Sequence, residues 1–534
     1  MTPPASFVDY RTRKALVVDD YPSMRSAFRM ALASFGMTKV DPASSAAEAI
    51  VRVKAVDYDV VICDYNLGEG RDGQQLLEEM RHRGLIGLQT AFLMVTAESV
   101  YERVVAAAEL APDDYLIKPF NGEILRTRLD AVLLRKEAFR PAFRAFEKGG
   151  LEAALAECEH LKKKFPKYFV DALRFQGDVL MAMGDFSGAE ALYRQVMALR
   201  PVPWSRLGLA RALSLQRKSA EAESVLHELL HQHPELVAGY DLLADVQLAR
   251  NKGREAQDAL RRGVEVSAKS PRRQRRLGEI AYQNRDLAGA EAAFRQALEK
   301  GRNSIYVGAN DFANLARVYL DRDNPRAALE LVTDNRKLLQ ESREGKLVSA
   351  VVLAQATAHP GQAQAALEEA LELKRQGAQC VPELALDMVA ACMKTGREAD
   401  AAGLLEEVAR NAHDSADLLD QARRIYEAAG KAEQVVQILQ KSTAVVARLS
   451  QEGALLLQKG ELQQGVEKML LASREAPRNP RILMNTVWAI LRLARQEGSV
   501  GDQLHTARRL LEDAARLVPN HPRLAELQTQ LRNA

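Results

Sequence analysis

Residues 60–67 read VVICDYNL, an unbroken apolar run that is rich in β-branched residues and leads to a single carboxylate at Asp64. Such a run is typical of a strand that is buried on both faces within a parallel sheet. Open α/β sheets place their chemistry at the edge formed by the carboxyl ends of their strands. The stretch therefore predicts that Asp64 lies at that edge, where its role depends on the groups that neighbouring strands bring to it.

Three more strand patterns end in polar residues, and helical patterns separate them. Residues 15–18 (ALVV) are followed by Asp19 and Asp20, residues 91–95 (AFLMV) by Thr96, and residues 115–117 (YLI) by Lys118. Helices are predicted over residues 22–35, over residues 45–56, up to residue 83 after a glycine-rich loop, and over residues 100–110. This alternation predicts a parallel sheet with helices on both faces.

The ends of these strands would place three carboxylates, one hydroxyl and one ammonium group at the same edge of the sheet. Carboxylates that lie this close repel each other unless a cation neutralises them. Mg²⁺ is the natural occupant because it binds through few carboxylates and keeps water or phosphate oxygens as its other ligands. A metal ion, a lysine and a hydroxyl are also what phosphoryl transfer onto a carboxylate requires. We therefore predict a magnesium-dependent phosphoryl-transfer site.

This set of residues resembles the receiver domain of two-component response regulators, and the resemblance covers residues 14–135. It implies a doubly wound, flavodoxin-like sheet of five parallel strands. It also implies that Asp64 is the phosphoacceptor and a metal ligand, that Asp20 binds Mg²⁺ directly, and that Asp19 acts largely through water. The backbone carbonyl of Asn66 would complete the metal ligands that the protein supplies.

The same resemblance assigns roles to residues further along the chain. Thr96 and Lys118 would contact the phosphoryl group, and Tyr115 would be the aromatic switch that turns inward when the hydroxyl of Thr96 moves. A cis peptide bond is expected between Lys118 and Pro119, as in the family. One departure from the family follows the phosphoacceptor, where LGEG (67–70) stands in place of the usual proline. Without that proline, the resemblance does not establish that the loop after Asp64 is rigid.

Beyond residue 135 the chain repeats small and large residues at similar offsets. One series is Gly177, Gly184, Ala189, Tyr193 and Pro201, and similar series begin near residues 207, 277 and 453. These positions resemble the tetratricopeptide repeat (TPR), whose period of about 34 residues contains two antiparallel helices. Small residues would let the two helices approach each other, and the large residue would fill the space beside the next repeat. Residues 136–534 are therefore predicted to form an all-α TPR solenoid of about ten repeats.

The repeat boundaries follow from the spacing of these residues. Repeats are predicted at residues 135–168, 170–203, 204–236, 237–270, 271–304, 309–342 and 446–479, with degenerate helical pairs in 343–445 and a final repeat with a widened loop at 480–522. No glycine or proline occurs between residues 123 and 140, so the last receiver helix is expected to run directly toward the repeats without a flexible linker.

Several arginines of the repeats are candidates for a partner groove. Arg272 and Arg275, together with Arg174 and Arg317, fall at first-helix positions that line the concave groove in TPR proteins, which favours an acidic or anionic peptide partner. The run RRQRR (272–276) also has two other interpretations, a solvated helix face and a nucleic-acid contact. The nucleic-acid contact is disfavoured because no aromatic residues are interleaved with the arginines.

Composition limits the remaining classes of function. The 534 residues include 74 basic and 71 acidic side chains, a net charge of +3, so no general affinity for nucleic acid or acidic membranes is expected. The four cysteines are widely spaced and suggest neither a disulfide framework nor a zinc site. No run of about 18 apolar residues occurs, so we expect a cytoplasmic protein that is neither exported nor membrane-spanning.

The sequence therefore predicts a response regulator that a sensor histidine kinase or a phosphotransfer protein phosphorylates on Asp64. Its output would be phosphorylation-controlled binding of a protein or peptide to the repeats. The alternatives are a phosphorylation-independent scaffold or modulator of another signalling enzyme, and, with less support, a nucleic-acid-binding regulator. No catalytic set of residues occurs in 136–534, so chemistry would be confined to the receiver's own phosphorylation and dephosphorylation. A homodimer is compatible with the sequence, which does not specify the oligomeric state.

Overall fold

The computed structural model describes residues 8–68, 71–97, 112–268, 270–302, 307–497, 501–518 and 522–532. The helix predicted at residues 100–110 and part of the loop at 67–70 lie outside the described residues. The chain divides into two compact units. We call them the first unit (Met1–Leu277 with Glu299–Tyr306) and the second unit (Gly278–Leu298 with Val307–Ala534).

A five-stranded parallel sheet forms the amino-terminal part of the first unit. Its strands are β1 (Lys14–Val18), β2 (Lys39–Ala43), β3 (Val60–Asp64), β4 (Ala91–Ala97) and β5 (Asp114–Lys118). They lie in the order β2-β1-β3-β4-β5, and each neighbouring pair is parallel. The described helices of this part are α1 (Pro22–Ser34), α2 (Ala46–Ala55), α3 (Gly73–His82) and α4 (Gly122–Glu147). The predicted five-stranded parallel sheet is confirmed.

Helices cover both faces of this sheet, which explains why the strand at residues 60–64 is buried along its whole length. On one face, Val17 of β1 packs in a cluster with Leu125 of α4. On the other face, Leu16 of β1 packs in a cluster with Leu77 of α3. Because successive strand side chains point to opposite faces, the apolar run serves both clusters at once.

The strand β2 was not among the predicted strands. Its sequence, KVDPA, contains Asp41 and Pro42 and has no buried apolar run. It pairs only with β1 and forms the edge of the sheet. Proline is tolerated there because an edge strand leaves one side of its backbone unpaired. An edge strand needs no continuous apolar run, so the hydrophobic pattern of the sequence did not predict β2.

The helix α4 continues past the last strand without interruption. It spans 26 residues and runs through Pro141. Its amino-terminal half, including Leu125 and Leu129, packs on the sheet. Its carboxyl-terminal half, including Phe139 and Ala142, packs with the next helix of the chain. One helix is therefore shared by the sheet and the helical region.

Every described α-helix after α4 belongs to the helical region. In the first part they are α5 (Leu151–Lys164), α6 (Phe169–Met183), α7 (Phe186–Leu199), α8 (Pro203–Leu215), α9 (Ser219–Gln232), α10 (Val237–Ala249), α11 (Gly253–Val266), α12 (Pro271–Gln283) and α13 (Leu287–Lys300). They continue with α14 (Ala309–Asp321), α15 (Pro325–Asp334), α16 (Arg336–Leu339), α17 (Arg343–Ala356), α18 (Pro360–Arg375), α19 (Pro382–Lys394), α20 (Glu398–Asn411) and α21 (Ala416–Ala428). The last are α22 (Ala432–Lys459), α23 (Leu462–Glu475), α24 (Pro480–Glu497), α25 (Gly501–Leu517) and α26 (Pro522–Arg532). The predicted all-helical repeat region is confirmed.

One predicted turn between helices is not formed. The boundary placed at residue 446 falls inside α22, a single helix of 28 residues. Its sequence has no glycine or proline before Gly453, and the helix ends at Gly460, which has a φ of +87°. Nothing in the sequence therefore breaks the helix at residue 446, and two helices of adjacent predicted repeats are fused.

Glycines lie where two helices of the region meet a large side chain, as the repeat pattern predicts. A Cβ atom built on Gly208 of α8 would lie 2.5 Å from Cζ of Tyr193 on α7. A Cβ atom built on Gly278 of α12 would lie 2.6 Å from Cε1 of Phe294 on α13. Both distances are far shorter than a normal contact, so the aromatic rings occupy space that only a glycine leaves open.

Two further observations concern the cysteines and the possibility of a membrane-spanning helix. All four cysteines are buried and unpaired. Among the described residues, no helix is long and apolar enough to cross a membrane.

We predict that Gly208→Ala destabilises the helical region, because the new methyl group would collide with the Tyr193 ring. The free energy of unfolding should fall by about 1–3 kcal/mol, as overpacking of a core usually costs. Urea unfolding can be followed by the fluorescence of Trp204, whose ring lies 6.3 Å from that of Tyr193, in a Trp488→Phe background. Gly122→Ala is the control, since its Cβ atom would meet its nearest atom at 4.0 Å. Equal stability of the two variants would contradict this prediction.

Candidate functional site

The carboxyl ends of β1 and β3 bring three acidic side chains together. Asp64 is the last residue of β3, and Asp19 and Asp20 follow β1 directly. One carboxylate oxygen from each of the three lies within 4.8 Å of the others. Asp19 and Asp64 are buried, with 0% and 7% of their surface exposed, and Asp20 is half-buried. The parallel pairing of β1 with β3 places these acids at one edge, because both strands end there.

Lys118 supplies a positive charge to these acids. Its Nζ lies 2.9 Å from Oδ2 of Asp64 and 3.7 Å from Oδ2 of Asp19. Lys118 ends β5, and the peptide bond that follows it, to Pro119, is cis, as expected. One ammonium group thus bridges two of three carboxylates, and the acids retain an excess of negative charge when all are ionised.

Burial makes this excess charge costly. Burial raises the pKa of Asp19, and the charges of Asp64 and Asp20 act in the same direction. The backbone N–H of Tyr21, which donates to Oδ1 of Asp19 at 2.8 Å, and the Lys118 ammonium partly oppose this rise in pKa. A bound cation would remove the repulsion that remains.

The acidic oxygens fit a magnesium ion. Oδ2 of Asp19 and Oδ1 of Asp20 are buried and accept no hydrogen bond from the described residues. Carboxylate oxygens are hard ligands, and two unsatisfied ones beside a third carboxylate match the way Mg²⁺ is held in proteins. Asn66 is exposed in the loop two residues after Asp64, and no described residue donates a hydrogen bond to its backbone carbonyl. These residues would hold the ion.

Thr96 and Tyr115 lie on the two neighbouring strands. Thr96 is 1% exposed and lies in β4, and its Oγ1 is 3.4 Å from the carbonyl oxygen of Ala97. Tyr115 of β5 pairs with Met94 of β4, and its half-buried ring packs against the apolar cluster that contains Cys63. The two residues are therefore placed on adjacent strands beside the acids.

Glycines bring the backbone of the following loop close to the acids, a feature that the sequence pattern did not reveal. Gly68 has a φ of +73°, and a Cβ atom there would lie 3.1 Å from Oδ2 of Asp20. A Cβ atom on Gly73, the first residue of α3, would lie 2.3 Å from the carbonyl oxygen of Asp64. The Asp72 side chain caps α3 by accepting from the N–H of Gln75. The described parts of the loop are thus fixed by close packing and a helix cap in place of the proline that the family usually has.

Cys63 precedes the acidic residue of β3 but is not part of the site's chemistry. It is fully buried, and its Sγ donates to the carbonyl oxygen of Asp64 at 3.1 Å. Burial raises the pKa of this thiol well above its usual range. It therefore remains protonated and acts as a core residue.

The four arginines of the predicted groove are divided between the two units. Arg174 and Arg272 are exposed and Arg275 is half-buried, and all three lie in the first unit. Arg317 lies in the second unit and is only 7% exposed, and its Nε and Nη2 donate to Asp387 at 2.8 and 2.7 Å. The place of Arg317 in a partner groove stays a prediction, but its guanidinium group already pairs with the buried carboxylate of Asp387.

Two arginines of the basic run 272–276 form ion pairs within the protein. Arg273 is 2% exposed and forms a two-point ion pair with Asp241, at 2.9 and 2.8 Å. Arg276 is paired with Asp245. Two of the four arginines thus hold α12 against α10, so the run is not a basic patch that nucleic acid could use as a whole.

Comparisons with known proteins agree with this geometry. The sequence matches the response regulator receiver domain over residues 15–130 and the tetratricopeptide repeat over residues 180–246 and 242–305. Chemotaxis protein CheY-3 of Vibrio cholerae serotype O1 is 30% identical over 131 residues, which cover 23% of this chain and 95% of that protein. Chemotaxis protein CheY of Pseudomonas aeruginosa is 28% identical over 122 residues, 23% of this chain and 97% of that protein. Among solved structures, a tetratricopeptide repeat protein from Parabacteroides merdae is 13% identical and matches 58% of this chain and 98% of its own, with a TM-score of 0.33.

We predict that Asp20→Asn weakens Mg²⁺ binding by at least about tenfold, because it removes one of the carboxylates that would hold the ion. Isothermal titration of the full-length protein with MgCl₂ measures the affinity. Asp57→Asn is the matched control, since Asp57 is an exposed acid of the same region outside the cluster. An unchanged affinity in the Asp20 variant would contradict the assignment.

Proposed function

Because this chain belongs to the response regulator family, with a receiver domain that is followed by tetratricopeptide repeats, we propose that it carries a phosphorylation signal to a protein partner. In this proposal a sensor histidine kinase or a phosphotransfer protein in the cytoplasm phosphorylates Asp64. The phosphorylated receiver then changes what the repeats bind. The observation that carries the proposal is the contact of Lys118 with Asp64 inside the acidic cluster, on a strand whose other end is tied to the repeats.

The chemistry follows from the positions of the side chains. A carboxylate oxygen of Asp64 attacks the phosphorus of a phosphohistidine, the P–N bond breaks, and an acyl phosphate forms on Asp64 while the imidazole leaves. Lys118 is placed to offset the charge on the phosphoryl oxygens, and Thr96 on the adjacent strand would donate a hydrogen bond to one of them. Mg²⁺, when bound by the acids, supplies further positive charge. In this scheme only receiver residues take part directly in the phosphoryl transfer.

The first physical link to the repeats is the shared helix α4. Phe139 and Ala142 of its second half pack with Cys158 of α5 and Phe175 of α6. Leu88, in the loop before β4, packs against the same cluster. The receiver and the first helices of the repeat region therefore share one apolar core, and displacement of either side changes the packing of the other.

The second link is a partly buried polar cluster around Asp113, the residue directly before β5. The Lys136 Nζ of α4 lies 2.7 Å from Oδ1 of Asp113 and donates to the carbonyl oxygen of Leu88 at 2.7 Å. Arg135 contacts Asp113 at 3.6 Å and Asp171 of α6 at 3.8 Å. Lys136 is only 9% exposed; burial lowers its pKa, and Asp113 opposes that change. We call these residues the Asp113 cluster.

The position of β5 explains how the two ends could be coupled. Its last residue, Lys118, contacts the acidic site, and Tyr115 lies in its middle. Its first residue follows Asp113, whose cluster reaches α6 of the repeats through Arg135. A strand is stiff along its length, so a change at Lys118 and Tyr115 can reach the Asp113 cluster. Contacts thus run from the acidic site along β5 to α6 of the repeats.

We predict that partner capture depends on phosphorylation of Asp64. Wild-type protein treated with Mg²⁺ and acetyl phosphate should capture a different set of proteins from Asp64→Asn treated in the same way. Quantitative mass spectrometry of immobilised full-length protein reports both sets. Identical sets would contradict phosphorylation control and favour a phosphorylation-independent scaffold.

We also predict that the double variant Lys136→Met/Asp113→Asn uncouples the receiver from the repeats. Removal of both partners avoids leaving the buried Lys136 ammonium unpaired, which Asp113→Asn alone would do at a cost of about 3–5 kcal/mol. Arg81 and Arg135, which also contact Asp113, keep their hydrogen bonds to backbone carbonyl oxygens. Phosphorylation by acetyl phosphate should be unchanged on a phosphate-affinity gel, because no site residue is altered. The difference in captured proteins between treated and untreated variant should disappear.

The control for this experiment is Glu48→Gln/Arg52→Gln, which removes an exposed ion pair on α2. It should keep both phosphorylation and the difference in capture. If the Asp113 cluster variant also keeps the difference, the cluster does not transmit the signal.

A further inference from the structure

A cavity of about 500 Å³ lies within the second unit. It is lined by α14, α17, α19 and α21 and by the end of α12, which places five helices of the region around one space. A volume of this size is in the range of sites that bind small ligands or a few side chains of a partner. None of the receiver residues lines it.

The buried ion pair between Arg317 and Asp387 closes this cavity on one side. It joins α14 to α19, which are 70 residues apart in the chain. Nη1 of Arg317 also donates to Oδ1 of Asn314 at 3.0 Å. Both oxygens of Asp387 and three nitrogens of Arg317 are therefore engaged within the protein. This pair shapes the cavity and leaves the recognition of a ligand to other residues.

Three more cations line the cavity beside this pair, and two of them, Lys394 and Arg285, lack a close carboxylate partner among the described residues. Lys394 is exposed, and its Nζ donates to the carbonyl oxygens of Gln355 and Thr357, the latter at 2.9 Å. No carboxylate of the described residues forms an ion pair with it. Arg285 reaches Asp321 only at 3.7 Å, and Arg424 pairs with Asp420 on its own helix. The lining contains four cationic and two acidic side chains, so an anionic group would find a complementary charge.

A side-chain amide also lines the cavity. Gln421 of α21 is 8% exposed and is one of the residues around this space. An amide nitrogen can donate a hydrogen bond to a carboxylate oxygen of a ligand.

The rest of the lining is aliphatic. Leu320, Met393 and Ile425 are half-buried and face the same space. Aliphatic side chains pack well against Leu, Ile or Met of a peptide, whereas single-stranded nucleic acid is usually held by stacking on aromatic rings. The lining thus favours a peptide over a nucleic acid.

We propose that this cavity binds an acidic segment of a partner protein, with an Asp or Glu carboxylate at Lys394 and Gln421 and an adjacent apolar side chain against Met393 and Ile425. The proposal rests on the proposed function, in which the repeats bind a protein, and adds the place and the chemistry of that contact. Arg424 lies near the carboxylate position and would strengthen the charge preference.

The test is a selection of peptides by the full-length protein. A library of random octapeptides is panned against the immobilised protein, and the recovered sequences are compared with the input. We expect enrichment of Asp or Glu next to Leu, Ile or Met. The affinity of a recovered peptide, and of its counterpart with Gln or Asn in place of each acid, is then measured by fluorescence anisotropy. The uncharged counterpart should bind at least about tenfold more weakly, which corresponds to about 1.4 kcal/mol.

Two variants locate the binding site. Lys394→Gln/Arg424→Gln should weaken the acidic peptide about tenfold, and Gln421→Glu should weaken it through direct repulsion, with both variants retaining the wild-type melting temperature. Arg326→Gln/Arg375→Gln is the matched control, because both arginines are strongly exposed on α15 and α18 away from the cavity. Recovery of no peptide, of peptides without acidic enrichment, or of peptides that bind both variants like wild type would overturn the proposal. Binding of a single-stranded oligonucleotide that these variants abolish would overturn it in favour of nucleic acid.

The outcome separates this proposal from the proposed function. If the peptide binds wild type and Asp64→Asn equally with and without acetyl phosphate, the cavity proposal stands and phosphorylation control fails. If phosphorylation-dependent capture survives in Lys394→Gln/Arg424→Gln, the cavity proposal fails and phosphorylation control stands.

Discussion

Repulsion among three neighbouring carboxylates is the constraint on which the receiver depends. Asp19, Asp20 and Asp64 are held within 4.8 Å by the ends of two parallel strands, and two of them are buried. Lys118, which reaches in from β5, offsets part of this repulsion, and a bound cation would complete the neutralisation. The same excess of negative charge makes the site sensitive to any change in charge at Asp64. A phosphoryl group there would alter the balance that positions Lys118.

The strand β5 connects this charge balance to the repeats. One end contacts the acids through Lys118, and the other begins at the Asp113 cluster, where Lys136 and Arg135 of α4 meet the receiver. The second half of α4 is also the first helix of the apolar core that it shares with α5 and α6. The receiver and the first repeats therefore share the helix α4 and a partly buried charge cluster. In the proposed function, this arrangement is the route by which chemistry at the strand ends would act on the repeats.

Much of this could be predicted from sequence, and the exceptions have physical causes. The strands that lead to Asp64, Thr96 and Lys118 could be predicted because burial on both faces of the sheet requires continuous apolar stretches. The edge strand β2 is not visible, since an edge needs no such run and accepts Pro42. The fused helix α22 could not be located by a repeat period alone. The pairing of Arg317 with Asp387 joins residues that are 70 apart, and a helix-face argument cannot show which arginine is already neutralised.

The central claim is that a change at Asp64 reaches the repeats, and hydrogen exchange of the full-length protein tests it most directly. Exchange is compared with and without beryllofluoride, a phosphoryl mimic, in the presence of Mg²⁺, for wild type and for Asp64→Asn. In wild type alone, we expect altered protection in β5 and also in residues 136–183, which contain the end of α4 together with α5 and α6. Altered protection that stops at residue 135, or the same change in Asp64→Asn, would contradict it.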